Sequence, residues 1–151
     1  MTHNVVKMYA TATITREAAK SLVDAARVAS NKLGFEPATA VTDLGGHLKA
    51  FERGDSTPYL AGVIAMDKAW TAASYQLSTS YWNRYVQDSS VAALQNSSRV
   101  MPVGGGYAIM CDGQVIGAIA ISGGSLEQDE KAALAALADL GFGTTEDPDA
   151  R

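Results

Sequence analysis

Three side chains in the first half of the chain carry the chemistry worth weighing: Asp43, His47 and Lys68. His47 follows Gly45-Gly46 at the start of an expected strand, where an imidazole can ligate a metal or act as acid and base near neutral pH. A half-exposed strand histidine with no such role is the plainer alternative. His3 stands at the terminus, so His47 is the histidine that matters. Asp43 opens the turn Asp43-Leu44-Gly45-Gly46, where a carboxylate can accept turn amides without doing chemistry. Lys68 falls on an alanine-rich helix face, an unusual place for an ammonium, which must be paired or reach water. If Asp43 and Lys68 converge on one pocket, they can bind and polarise a carbonyl, each shifting the other's acidity.

Two glycine segments offer backbone instead of side chains. Gly104-Gly105-Gly106 would let a flat ligand approach the main chain closely, and Tyr107 follows it. The segment lacks the Lys-Ser/Thr of a phosphate loop and the strand-before-helix context of a dinucleotide fingerprint, which excludes nucleotide binding there. Ser122-Gly123-Gly124-Ser125 opens a helix, so its free N–H groups and the positive end of the macrodipole could seat a carboxylate. Helix capping is the competing use, because Glu127, Asp129 and Glu130 already bring negative charge to that end.

Trp70, Tyr75, Tyr81, Trp82 and Tyr85 gather five of the eleven aromatic residues into one stretch. Such rigid apolar area with polar tips suits a ligand pocket or a subunit interface equally. Met66, Met101 and Met110 read as core filler. One cysteine, Cys111, excludes an intrachain disulfide, a redox pair and a multi-thiolate zinc site, and it fits a reducing compartment. No Ser/His/Asp signature, paired catalytic carboxylates or HExxH motif occurs.

These residues need elements to hold them. Apolar residues at three- and four-residue steps predict a helix from Thr15 to about Leu33, capped by Thr15 and stopped by Gly34. Residues 38–43 and 47–53 read as two strands about a glycine turn, with His47, Lys49 and Phe51 on one face and Leu48, Ala50 and Glu52 on the other. Ser56-Thr57-Pro58 announces a second helix to about Tyr75, with proline at its first position. Short helices in an irregular segment are expected over 77–98. Asp112-Gly113 joins two strands, Tyr107 to Cys111 and Gln114 to Ser122, as a tight hairpin. Ser125 and Gln128 form a capping box for a last helix ended by Gly141, and Thr144 to Arg151 is expected to fray. The order predicts an α+β domain over 1–151, its core at about 15–141, with helices packed on an antiparallel sheet in three layers.

With 151 residues, 47% apolar and 19% charged, the chain is of ordinary globular composition. A net charge of -4, from 12 Lys+Arg against 16 Asp+Glu, argues against nucleic acid and anionic membranes as partners. The first residues lack a basic stretch followed by an apolar core, so no secretory signal is read and a cytoplasmic location is expected. The apolar window 107–121 is broken by Asp112-Gly113-Gln114 and is too short to span a bilayer.

Val41-Thr42-Asp43-Leu44-Gly45-Gly46-His47-Leu48, Lys68-Ala69-Trp70-Thr71-Ala72, and Asp112-Gly113 to Ser122-Gly123-Gly124 with Gln128-Asp129-Glu130 together resemble the GlcG/HbpS family (DUF336), which includes the C-terminal PduO-type domain. The likeness spans about Thr15 to Leu140. It implies an antiparallel sheet of about five strands flanked by helices, homo-oligomers and, in some members, binding of haem or related tetrapyrroles. The chain departs from the family's Gly-Gly-hydrophobic-Pro, reading Gly104-Gly105-Gly106-Tyr107-Ala108 there.

The first functional expectation is therefore an oligomeric protein that binds haem, or another small planar or carboxylate-bearing molecule. His47 would contact iron; Gly45, Gly46, Gly104, Gly105 and Gly106 would give backbone access. Trp70, Tyr81, Trp82 and Tyr107 would line the ligand, and Ser122 and Gly123 would seat a carboxylate. The second is a cofactor-independent lyase or isomerase acting on a small catabolic metabolite through Asp43, His47 and Lys68. A third is a purely structural assembly protein.

Overall fold

A computed structural model describes residues 4–148, so His3 lies outside the described residues. The element order is α1 (Arg16–Lys32), β1 (Ala38–Asp43), β2 (Leu48–Arg53), α2 (Tyr59–Tyr75), α3 (Thr79–Tyr85), a single 3-10 turn (Ala92–Asn96), β3 (Gly106–Cys111), β4 (Gln114–Ser122) and α4 (Leu126–Asp139). Local chemistry sets the ends. Thr15 accepts the Ala18 N–H at 3.1 Å to start α1, and Ser125 and Gln128 close a reciprocal capping box on α4. Asp112 (φ 50°) and Gly113 (φ 76°) are both left-handed, the backbone of a type I′ turn matched to the twist of β3 and β4.

The strands form one antiparallel sheet in the order β2-β1-β4-β3. On one face, α1 and α4 bury Leu22, Val41, Ile109, Ile119, Ile121 and Leu137 in a branched aliphatic core. On the other, Ala38, Ala40 and Ala120 of the sheet meet Ala61, Ala65 and Ala69 of α2. Alanine against alanine lets that helix lie close on the strands, so the three layers of an α+β domain are formed with very different thickness of side chain on the two faces.

The sheet has four strands where the resemblance implied about five. The flanking chain adds only fragments: Gly143 exchanges N–H···O bonds with Met110 at 2.8 and 3.0 Å, and the Ile14 N–H donates to Ile116 at 2.9 Å. Neither extends into a strand. The C-terminal segment does not fray over its described part. Ser78 donates its hydroxyl to Asp147 at 2.7 Å and Thr145 donates to the Gln76 carbonyl at 2.6 Å. At the start of α2, Pro58 takes the cap position rather than the first helical one, while the Thr57 hydroxyl donates to the Glu36 carbonyl at 2.8 Å.

A bulge also reorders β2. Val41 pairs with Ala50 but Thr42 with Leu48, which leaves Lys49 as the extra residue. Ala50 packs on the α1 side, whereas Leu48 lines a cavity with His47 and Trp70 on the α2 side. The strict alternation expected for 47–53 is broken at that point.

Candidate functional site

The β1–β2 turn is built by Asp43. Its Oδ1 accepts the Gly45 N–H at 2.9 Å and the His47 N–H at 3.0 Å, and lies 3.3 Å from His47 Nδ1. The carboxylate thus folds the turn and orients the imidazole at once. Nδ1 faces Asp43, so Nε2, across the ring, points away from it; the side chain is 83% exposed.

Gly46 (φ +83°) brings the turn onto α2. A Cβ there would stand 3.2 Å from Trp70 Cδ1, so only a residue without a side chain lets the backbone rest against the indole. Arg99 closes the other side, its guanidinium carbon 5.0 Å from the centre of the Trp70 rings. Between them opens a cavity of about 430 Å³ lined by Thr42, Gly45, Gly46, His47, Leu48, Met66, Trp70 and Arg99. This is within the usual size of a small-molecule site. A second hollow of about 200 Å³ continues past Gly45, Gly46 and Trp70 toward Ala73 and Ser74.

One wall of the cavity is unusual. Thr42 is 1% exposed, and its hydroxyl is buried without a hydrogen-bond partner. Such an orphan costs about 1–3 kcal/mol unless something fills its need.

Lys68 is not in this site. It is 1% exposed, and its ammonium donates to the Ile121 carbonyl at 3.0 Å and to Asp129 Oδ2 at 3.3 Å. Asp43 pairs with Gly117, four residues before Ile121 on β4, which separates the two groups by roughly 13 Å along the sheet. The acid–base set of Asp43, His47 and Lys68 is therefore split: the first two share the turn, and the lysine is committed to an internal ion pair. Burial pushes the Lys68 ammonium down from its ordinary range, with Asp129 opposing, and pushes the Asp129 carboxyl up, with Lys68 opposing.

Gly104, Gly105 and Gly106 are buried and packed against the protein itself rather than open to a ligand. A Cβ would meet Leu126 and Ser80 at 2.7 Å from Gly104, the Ile121 carbonyl at 2.8 Å from Gly105, and Thr79 at 2.8 Å from Gly106. Expected backbone access becomes a lid over the Lys68–Asp129 pair. The carboxylate seat at Ser122 and Gly123 is filled in the same way. The Gly124 N–H donates to Asp129 Oδ1 at 2.9 Å and the Ser125 N–H to Gln128 Oε1 at 2.8 Å, while a Cβ on Gly123 would stand 3.0 Å from the Glu36 carbonyl.

Tyr81 and Trp82 belong to a separate cleft of about 150 Å³ shared with Tyr75, Leu77 and Tyr85. Tyr107 is half-buried beside the α1–α4 core, and burial, with the charges of Glu130 and Asp147, holds its phenol well above its ordinary range. Of the residues expected to touch ligand, the structure brings together Gly45, Gly46, His47 and Trp70, with Asp43 behind them. Arg99, which lines the same cavity, is not singled out by the sequence because it sits in a segment with no periodic pattern. One signal was present: it is the only charged residue between Asp88 and Asp112.

Among the described residues no cluster of His, Cys, Asp and Glu could hold a metal ion by itself, and no helix is long and apolar enough to cross a membrane.

Residues 14–138 match the family model for the HbpS-like haem degrading protein. A 15.0 kDa uncharacterized protein of Citrobacter freundii, encoded between dhaT and dhaS, is 34% identical over 129 residues, covering 83% of this chain and 91% of its own. The crystal structure of the Klebsiella pneumoniae DUF336 protein ORFY superposes with a TM-score of 0.87 at 30% identity, over 92% of this chain and 98% of that one. The crystal structure of a PduOC–haem complex gives 0.79 at 28% identity, over 89% and 99%. The chain belongs to the HbpS-like haem degrading protein family.

Proposed function

We propose that this protein binds a planar, carboxylate-bearing tetrapyrrole of the haem class in the cavity between the Gly45–Gly46 turn and Trp70. The observation that carries the reading is the donor set gathered there. An imidazole oriented by Asp43, an indole face and a guanidinium share one cavity with a buried hydroxyl that lacks a partner. His47 would meet the iron, Trp70 would lie against the ring, and the side-chain-free turn would let the macrocycle reach the main chain. Haem held there would supply an iron centre able to take a further ligand. The solved relative that holds haem, PduOC, shares the fold over nearly its whole length and supports the reading.

Purified protein titrated with hemin tests it. A saturable shift of the Soret band at one equivalent per chain is expected. His47→Ala should lower affinity about tenfold, the scale of one good ligand contact, and change the spectrum of what still binds. Binding that never saturates would overturn the reading, and an unchanged spectrum in His47→Ala would remove His47 from it.

The same proposal includes a homo-oligomer in a reducing compartment such as the cytoplasm. The outward face of α2 supports the first part, since Tyr59, Leu60 and Val63 stand exposed on it. The unpaired Cys111 is consistent with the second.

A further inference from the structure

From the way Arg99 is held, we infer that it is the specificity-determining residue of the cavity, reading a carboxylate on the ligand; this rests on the tetrapyrrole reading above. Arg99 is carried by an irregular segment, yet the segment is pinned to α2. The Thr71 hydroxyl, fully buried, lies 2.7 Å from the Asp67 carbonyl and 3.2 Å from the Arg99 carbonyl, and accepts the Met101 N–H at 2.9 Å. The Arg99 main chain is therefore fixed relative to Trp70, one residue before Thr71 on the same helix.

The side chain is fixed as well. Nε donates to Asp67 Oδ1 at 3.2 Å, and the guanidinium plane carbon lies 5.0 Å over the Trp70 rings. Asp67 takes the Nε side of the fork, which leaves the two terminal nitrogens as the donors turned to other partners. The side chain remains 44% exposed while lining the cavity. A guanidinium stacked on an aromatic face with one edge already bound is preorganised to grip a planar carboxylate with the other. It loses less rotamer freedom on binding than a free arginine would.

This also relocates the anion contact. In the expected seat at Ser122 to Ser125, the Gly124 N–H already donates to Asp129 and the Ser125 N–H to Gln128. Arg99 is the cation that faces the same cavity as His47, so a ligand meeting His47 at its centre would present its acidic edge to Arg99.

The test uses hemin and its dimethyl ester, in which both propionates are capped, with wild type, Arg99→Met and His47→Ala. The wild type should prefer hemin over the ester by about tenfold, the scale of one charge-assisted contact. Arg99→Met should lose that preference, while Asp67→Ala, which removes the acceptor that holds Nε, should reduce it partway. His47→Ala should weaken both compounds and keep their ratio. If Arg99→Met retains the full preference while His47→Ala still weakens binding, the role of Arg99 is overturned and the cavity reading stands. If the wild type binds neither compound saturably, both fall together.

Discussion

The Lys68 ammonium lies 3.3 Å from the Asp129 carboxylate inside the protein, bonded also to the Ile121 carbonyl and covered by Gly105. One contact ties together α2, β4, the glycine loop and the first turn of α4. Removing one partner leaves a buried charge without its counterion, which costs about 3–5 kcal/mol. Lys68→Met and Asp129→Asn should each lower the unfolding free energy measured by urea denaturation by that amount. The double variant should recover part of the loss, because asparagine still accepts the Gly124 N–H and no charge is left inside. Strict additivity of the two losses would show that the groups do not interact.

The pair also sets a pH dependence with a definite sign. Asp129 is raised above its ordinary 3.8 chiefly by burial. Between those two values the folded state holds a proton the unfolded chain has released, so stability from this group falls as pH rises through that window. Lys68 is lowered from 10.5, again chiefly by burial. There the unfolded chain holds the extra proton, so stability is regained as pH rises toward 10.5. The difference in unfolding free energy between wild type and the Lys68→Met/Asp129→Asn double variant should therefore pass through a trough between the acid and alkaline ends. A flat difference across that range would contradict the burial of both charges.

Gly105→Ala separates two roles for the glycine loop. The residue has φ +117°, and its added Cβ would stand 2.8 Å from the Ile121 carbonyl, a backbone atom held in the β1–β4 ladder. Strain and overlap together should cost about 3 kcal/mol. Hemin affinity of the fraction that remains folded should be unchanged, since the loop faces the ion pair and not the cavity. Normal stability with lost hemin binding would restore the loop to the ligand site.

The elements were legible because each carries its own punctuation: Thr15 and Gly34 around α1, Asp112-Gly113 between β3 and β4, Ser125 with Gln128 before α4. What could not be read was pairing between distant segments. Lys68 on an alanine stripe signalled a buried charge, but nothing local names Asp129, sixty-one residues away, as its partner. The same holds for the C-terminal residues, which look polar and free until Ser78 and Gln76 claim Asp147 and Thr145. In the candidate site, the grouping of the turn residues Asp43, Gly45, Gly46 and His47 is legible because they are contiguous. Arg99 is not, because Thr71 and Asp67 position it from another helix.

Helix α2 places its alanines on the sheet and still presents apolar residues outward. Ala61, Ala65 and Ala69 face Ala38, Ala40 and Ala120, while Tyr59, Leu60 and Val63 are exposed on its first half. A helix apolar on both sides belongs in an interior, and a second copy laid on this face would complete one. Phe51, packed against Gly62, extends the patch onto β2. A charge at its centre should be expelled from any apolar contact between copies, so Val63→Glu should shift the molar mass measured by light scattering to that of the single chain. Folding should be spared, because Val63 is already in water within the monomer. Trp70 and Arg99 lie two turns further along the same helix side or beside it, so hemin titration of the dissociated variant decides whether the cavity is complete in one chain. Unchanged mass in Val63→Glu would overturn this face as a contact between copies.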